Sequence, residues 1–195
     1  DVYKRQVIPN HNAFAAIMLW NARGGVWTLD GAPLFALEGH PTRLRAVGCS
    51  AHHIATGDRD TRVLLRYVED GQPLAELIGE SGEVTALAFS PDGATLAVGT
   101  TTGYISLFDV EEAELILTWR AHSQTTSLVF NPTGDVMISG GVDGAIMFWD
   151  VQTGERLNGR SHGGSVNAVD ISADGAVVVA AGDDARVTMW RLTGD

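Results

Sequence analysis

The chain has 195 residues and a formal net charge of −11 at pH 7. A surface this acidic disfavours nucleic acid and anionic membranes as partners, because both carry negative charge. The single cysteine, Cys49, excludes an intrachain disulfide framework and a four-cysteine zinc site. No apolar run reaches the roughly 18 residues that a membrane helix needs, and no signal peptide is visible. The 23 glycines and the low share of charged residues favour a turn-rich β protein.

The first six residues, DVYKRQ, differ in character from the rest of the chain. The DNA sequence GAT-GTG-TAT-AAG-AGA-CAG encodes them and resembles a transposon end used to build sequencing libraries. Lys4 is the single lysine of the chain, whereas the other 12 basic residues are arginine. We interpret residues 1–6 as a translated adapter rather than a natural basic N-terminus, and we leave them out of the fold prediction. On this interpretation the natural protein extends further at its N-terminus.

Residues 7–38 match the regular pattern of the later chain only loosely. The stretches AFAAIMLW and GGVWTLDG are typical of inner strands, and PLFALEGH closes the unit. We predict that this segment is a partial, degenerate copy of the four-stranded unit that repeats downstream.

From residue 39 onward the chain repeats itself with a period of about 41 residues. Four segments align on Arg66, Phe108, Trp149 and Trp190, which are 42, 41 and 41 residues apart. Upstream of three of them, EVTALAFSPDG, QTTSLVFNPTG and SVNAVDISADG align at a spacing of 41. We divide this part of one domain into four repeats, the last without its outer strand: 39–79, 80–120, 121–160 and 161–195.

Each repeat has the pattern of antiparallel strands. VTALAF alternates polar and apolar positions, while SPDG, NPTG and SADG are turn sequences, because proline fixes φ and glycine accepts positive φ. A unit of four strands cannot bury both of its faces alone, and radial stacking of such units solves this problem. The sequence therefore predicts an all-β fold, a partial β-propeller of four-stranded antiparallel blades.

Two short motifs add a family resemblance. Three dipeptides stand where WD-repeat proteins carry a Gly-His pair: Gly39-His40, Ala121-His122 and Ser161-His162. Trp149-Asp150 is similar to the Trp-Asp pair that gives the family its name, and the resemblance covers about residues 34–195. It implies a propeller, usually of seven blades, that acts as a platform for other proteins. Since four repeats and a partial one fall short of seven, we expect an arc truncated at both ends rather than a closed five-blade ring.

The resemblance implies a buried chain of hydrogen bonds in the third repeat. Asp143 would accept from the His122 ring, His122 would bind Ser139, and Ser139 would reach the Trp149 indole. Buried donors and acceptors need such partners. Other repeats keep part of this tetrad, with these residues: His40, Thr56 and Asp60 in the first, and His162, Asp184 and Trp190 in the fourth. The second repeat, with Glu80, Val98, Thr102 and Phe108, keeps none of it.

Three other interpretations are disfavoured: a hydrolase triad, a phosphate-binding loop and a metal site. A His/Ser/Asp set also occurs in hydrolase triads, but here it recurs in degraded form and no nucleophile elbow is present. The GGVDG loop lacks the lysine and the Ser/Thr of a phosphate-binding loop. His52 and His53 are neighbours on a strand and point to opposite faces, so one metal cannot easily use both.

The resemblance also places partner binding on one face of the propeller. Mapped by position, the candidate residues are Arg43, Arg45 and Arg59, then Glu83, Thr85 and Thr101, then Gln124, Thr126 and Val142, and finally Ser165, Asn167 and Asp183. Arginine is suited to capturing carboxylate or phosphate in a bidentate manner. The three arginines therefore either dock an acidic or phosphorylated peptide, or form a solvated patch paired with Asp58, Asp60 and Glu83.

We predict a non-catalytic WD-repeat scaffold that binds other proteins, without a cofactor, a metal or a small-molecule substrate, in the cytoplasm. The alternative is a regulatory or substrate-recruiting propeller segment of a larger enzyme or of a trafficking protein of the BEACH type. A third hypothesis makes the propeller itself an enzyme, but such propellers cluster ligands or carboxylates around the central channel, and the sequence shows no such cluster.

Overall fold

The fold is described from a computed structural model, which covers residues 3–9, 11, 13–18 and 24–192. Within these ranges, 19 strands form five antiparallel sheets, and no residue is helical. In the same ranges there is accordingly no helix able to cross a membrane. The predicted all-β fold of blade-like antiparallel sheets is confirmed.

The first sheet has four strands that pair in sequence order. They are β1 (Tyr3–Val7), β2 (Ala13–Met18), β3 (Gly24–Thr28) and β4 (Pro33–Leu37). Residues 3–6, which the fold prediction left out, lie in β1, and the Gln6 side chain accepts a 3.0 Å hydrogen bond from the Cys49 amide. Backbone pairing depends little on side-chain identity, so this segment can join the open edge of β2. Its origin as an adapter stays a prediction.

Four further sheets follow along the chain, and in each of them strands adjacent in sequence pair with each other. The second sheet has β5 (Leu44–Cys49), β6 (His53–Asp58), β7 (Arg62–Tyr67) and β8 (Pro73–Ile78). The third has β9 (Val84–Phe89), β10 (Thr95–Thr100), β11 (Tyr104–Asp109) and β12 (Leu115–Arg120). The fourth has β13 (Thr125–Phe130), β14 (Val136–Gly141), β15 (Ala145–Asp150) and β16 (Arg156–Ser161), and the fifth has β17 (Val166–Ile171), β18 (Val177–Gly182) and β19 (Val187–Arg191).

The sheets are blades that pack face to face around their first strands. β1, β5, β9, β13 and β17 contact one another in turn, and one apolar cluster fills each gap between neighbouring blades. In the third blade both faces are covered, and Leu96, Ile105 and Leu107 are fully buried. The core of the protein is therefore divided among the gaps between blades rather than gathered in one centre.

A recurring glycine lets neighbouring blades approach closely. Gly57, Gly99 and Gly140 occupy equivalent positions on β6, β10 and β14. A Cβ at these positions would come within 2.3 to 2.6 Å of Val84, Thr125 or Val166, each at or beside the start of the next inner strand. Only a residue without a side chain fits such a gap.

The fifth blade has one uncovered apolar face in the described part of the chain. Val187 is 73% exposed and Met189 is 67% exposed, although both lie on a strand. The equivalent positions of the fourth blade are Ile146 and Phe148, which pack against the fifth blade and are buried. Apolar residues at equivalent strand positions are thus buried in the fourth blade and exposed in the fifth.

We predict that Gly103→Ala destabilises the protein far more than Gly31→Ala. Both glycines have a positive φ, 84° and 92°, so both substitutions strain the backbone, by about 1 kcal/mol. A Cβ at Gly103 would lie 1.9 Å from the carbonyl oxygen of His122, whereas nothing lies within 4 Å of one at Gly31. Gly103→Ala should therefore cost roughly 3 kcal/mol or more in urea unfolding. Equal losses in the two variants would contradict this packing.

Candidate functional site

A chain of hydrogen bonds links β14, β15, the turn between these two strands and the loop that precedes β13. The Trp149 indole N–H donates to the Ser139 hydroxyl at 2.8 Å, and this hydroxyl lies 2.7 Å from Nε2 of His122. On the other side of the ring, Nδ1 lies 3.0 Å from Asp143 Oδ1. Since Ser139 already accepts from the indole, it donates its own proton to Nε2, and Nδ1–H donates to the carboxylate. All four side chains of the tetrad predicted for the third repeat, which forms the fourth blade, are thus linked by hydrogen bonds.

The second blade has a shorter version of this chain with a different aspartate. His40 Nδ1 lies 2.9 Å from Asp58 Oδ2, and Nε2 lies 2.8 Å from the Thr56 hydroxyl. The prediction of Asp60 was wrong, since that residue is exposed and only its amide donates to Asp58. Asp58 aligns with Gly141 of the fourth blade, where a Cβ would meet the His122 ring at 2.5 Å. A carboxylate carried at this strand position therefore reaches the histidine directly.

In the fifth blade the histidine ring is turned round. His162 binds Asp184 through Nε2 at 3.1 Å and the Thr188 hydroxyl through Nδ1 at 3.0 Å. Thr188 aligns with Met147 of the fourth blade, which is outside the tetrad, so the family pattern does not predict that Thr188 binds the histidine. Trp190 packs against the apolar cluster between the fourth and fifth blades instead of joining this chain.

Arg66 stands at the tryptophan position in the second blade, and its side chain binds backbone carbonyl groups. Its guanidinium donates to the carbonyl of Gly71 at 3.0 Å and to the carbonyl of Glu38. In the third blade, Thr102 donates to the carbonyl of Ser81 and lies 3.0 Å from the Thr100 hydroxyl. Hydroxyl groups thus replace the histidine chain there.

Three arginines, Arg43, Arg45 and Arg59, form the positively charged part of the predicted partner face. Arg45 Nε lies 3.2 Å from one oxygen of Glu83, and Arg59 Nη2 lies 2.6 Å from the other. Arg43 is exposed and has no ion pair among the residues described. Asp58 is buried and pairs with His40 instead of with these arginines. The arginines of the second blade therefore meet Glu83 of the third across the gap between the blades.

Two of the predicted partner-binding residues join blades instead. The Thr85 hydroxyl donates to the carbonyl of Thr125 at 2.5 Å, and the Thr126 hydroxyl donates to that of Val166 at 2.6 Å. Thr85 is only 6% exposed, so little of its side chain is open to solvent, and its role in partner binding stays a prediction. Because inner strands of different blades do not form a common sheet, such side chains are what connects their backbones.

The remaining candidates are spread along the same end of the blades. Asn167 donates to Asp183 at 2.5 Å, and the Thr101 hydroxyl accepts from the Glu83 amide at 2.9 Å. Gln124 and Ser165 are half-buried, and Val142 is exposed. Within the described ranges there is no group of three or more His, Cys, Asp or Glu side chains able to hold a metal ion.

We predict that Ser139→Ala destabilises the protein by about 2 to 4 kcal/mol. The substitution leaves the buried Nε2 of His122 and the Trp149 indole N–H without partners, and each such group costs roughly 1 to 3 kcal/mol. Ser161→Ala is the control, because Ser161 is exposed on β16. Urea unfolding followed by tryptophan fluorescence measures both. A loss under about 1 kcal/mol for Ser139→Ala would show that the chain contributes little.

We also predict that stability falls as the pH drops from 7.5 to 5.5. Burial lowers the pKa of His40 and of His122, and the neighbouring aspartates only partly oppose this. Unfolded histidine keeps its ordinary pKa of about 6.5, so the unfolded chain takes up protons first. Stability is therefore full above about pH 6.5 and declines below it, by up to roughly 1.4 kcal/mol per pH unit for each histidine. Urea midpoints across this range measure the slope, which His122→Asn should reduce.

Comparison with known proteins places these features in a family. Residues 35–192 match the model of the β-propeller described as the N-terminal domain of nucleolar protein 10-like proteins. The chain is 31% identical over 88 residues to the periodic tryptophan protein 2 homolog of Caenorhabditis elegans, which covers 45% of this chain and 10% of that protein. It is 32% identical over 75 residues to the anaphase-promoting complex subunit cdh1 of Dictyostelium discoideum, covering 37% of this chain and 10% of that protein.

The matched region spans about a tenth of the length of these two relatives. The family model, in contrast, covers most of this chain and includes every strand from β5 to β19. Repeated blades, buried His–Asp pairs and the Trp-Asp motif all agree with it. The chain therefore belongs to the WD-repeat β-propellers, in the family of nucleolar protein 10-like N-terminal domains.

Proposed function

We propose that this chain is a non-catalytic scaffold that binds an acidic or phosphorylated peptide at its arginine face, defined as Arg43, Arg45 and Arg59. The observation that carries the proposal is that Arg45 and Arg59 share one carboxylate, Glu83, while the exposed Arg43 has no ion pair among the described residues, in a chain of net charge −11. Such a cationic spot on an acidic protein attracts anionic ligands selectively.

Glu83 occupies the arginine face in the way that a ligand carboxylate would. The side chains of Arg45 and Arg59 are 39% and 48% exposed, and Glu83 is 23% exposed. Ion pairs this open to water contribute about 1 kcal/mol or less, so a phosphate or several carboxylates can compete with Glu83. Arg43 lies immediately before β5, whose residues are mostly buried, so the backbone that carries Arg43 is held in place by this strand.

The family supports a role in assembly. WD-repeat propellers are generally platforms for other proteins, and one relative is by name a subunit of the anaphase-promoting complex. The alternative hypothesis, a recruiting segment of a larger enzyme or trafficking protein, uses the same surface and differs only in its neighbours. The cytoplasmic location and the lack of a cofactor or small-molecule substrate stay parts of this proposal.

The test uses a fluorescein-labelled peptide that contains phosphoserine among Asp and Glu residues, measured by fluorescence anisotropy. We expect Arg43→Glu/Arg59→Glu to weaken binding by at least about tenfold, because two charge-assisted contacts become repulsive. Arg156→Glu/Arg160→Glu on the exposed β16 changes the net charge equally and should have a small effect. Binding that survives the first variant, or falls equally in both, would refute the arginine face.

A second variant tests the role of Glu83. Glu83→Gln removes the carboxylate shared by Arg45 and Arg59, so the peptide should bind roughly twofold to fivefold more tightly. Glu38→Gln, at an exposed position, controls for the change in net charge. A Glu83→Gln variant that binds no better than this control would show that Glu83 does not compete with the ligand.

A further inference from the structure

A groove lies between the second and third blades, at the end opposite the arginine face. Arg59 is in the turn before β7 and Glu69 is in the turn after it, so these two residues mark opposite ends of one strand. Two adjoining cavities of about 420 and 280 Å³ form this groove, and they share His53 and Glu111. We name it the rim groove and define it by its main side chains: His53, Tyr67, Glu69, Leu74, Glu111 and Glu112.

The rim groove is acidic, and its carboxylates are unpaired. Glu69 comes from the second blade, while Glu111 and Glu112 come from the turn after β11 in the third. Within the described ranges, none of these three carboxylates has a hydrogen bond or an ion pair, and no lysine or arginine lines either cavity. Asp92 and Asp109 also line the groove, but each accepts hydrogen bonds within its own turn. Glu69 of the second blade and Glu111 of the third thus line one cavity without a lysine or arginine beside them.

One wall of the rim groove is aromatic and contains a buried nitrogen without a partner. The His53 ring is stacked on Phe89 with centroids 6.5 Å apart, and it lies 5.7 Å from the Tyr67 ring. Nδ1 of His53 is shielded from solvent and has no hydrogen-bond partner among the described residues. Burial lowers the pKa of His53, so the ring is neutral at pH 7 and does not repel a cation. A buried polar nitrogen without a hydrogen-bond partner costs free energy until a partner reaches it.

We infer that the rim groove binds an arginine side chain from a basic segment of a partner protein. A guanidinium carries five N–H donors in one plane, which suits two carboxylates and a ring nitrogen together. Tyr67 lines the groove and is 43% exposed, so its ring is open to stacking by the guanidinium plane. A metal ion is a poorer fit, because no three acidic or histidine side chains in the described part of the chain are close enough to hold one.

The inference rests on the proposed scaffold role but uses a different surface and a ligand of opposite charge. The probe is a labelled Gly/Ser peptide that contains two arginines, and a second peptide has lysines in their place. We expect Glu69→Gln/Glu111→Gln to weaken binding of the arginine peptide by about five- to tenfold. The control, Glu38→Gln/Glu155→Gln, makes the same change in net charge at exposed positions outside the groove and should have less than a twofold effect.

A further variant distinguishes stacking from simple charge attraction. Tyr67 is 43% exposed, so Tyr67→Leu should leave the fold intact, which circular dichroism checks. It should weaken the arginine peptide more than the lysine peptide, because the planar guanidinium stacks better. Equal losses in the two acidic double variants, or no detectable binding by the wild type, would overturn the inference.

The outcome is separable from that of the arginine face. The phosphoserine peptide should bind the Glu69→Gln/Glu111→Gln variant as it binds the wild type. If that peptide fails to bind any variant while the arginine peptide responds as expected, the arginine face is wrong and the rim groove stands.

Discussion

The structure depends on one constraint, the face-to-face packing of neighbouring blades. A single four-stranded sheet exposes two faces to water, and the second, third and fourth blades cover both faces by packing between two neighbouring sheets. Gly57, Gly99 and Gly140 keep the inner strands close, and the Thr85 and Thr126 hydroxyls tie their backbones together across the gaps. Each blade therefore has its shape fixed by its neighbours more than by its own strands.

This packing determines what the ends of the blades can do. Because each blade is a meander, its turns fall alternately at two opposite ends, and the gaps between blades open at both. In the gap between the second and third blades, one end holds the arginine face with Glu83, and the other holds the rim groove with Glu69 and Glu111. The two ends carry opposite charges on a common rigid base. A scaffold built this way can present separate sites to an acidic and to a basic segment at once.

The sequence predicted the strands and the repeat well, because turn residues and alternation act locally. It also predicted the tetrad of the fourth blade, where Ser139 and Trp149 stand at the expected spacing. It failed where a side chain finds its partner in space instead of in the pattern. Asp58 takes the role predicted for Asp60. It lies at the strand position that Gly141 occupies in the fourth blade, and a side chain at this position contacts the histidine directly. Thr188 serves His162 because the ring is turned.

The surfaces were harder to predict than the blades for a similar reason. Alternation along a strand indicates which face a residue lies on, but not whether a neighbouring blade covers that face. The family resemblance placed Thr85 on the partner face, and it likewise gives no sign that the next inner strand buries this residue. The rim groove combines turns that are about 40 residues apart, so no local motif marks it. Only the packing of the second and third blades brings Glu69 and Glu111 together.

The histidine chains differ from blade to blade, which is expected if apolar packing contributes more to stability than these hydrogen bonds do. A buried hydrogen bond contributes a net 0.5 to 1.5 kcal/mol or so, whereas full burial of a leucine or isoleucine contributes about 1.5 to 3 kcal/mol. The third blade has no histidine chain, yet Leu96, Ile105 and Leu107 are completely buried in its two packed faces. A blade can therefore lose its tetrad during evolution if all of its polar members are replaced together. Losing one member alone is costlier, because the buried partners that remain have nothing to bind.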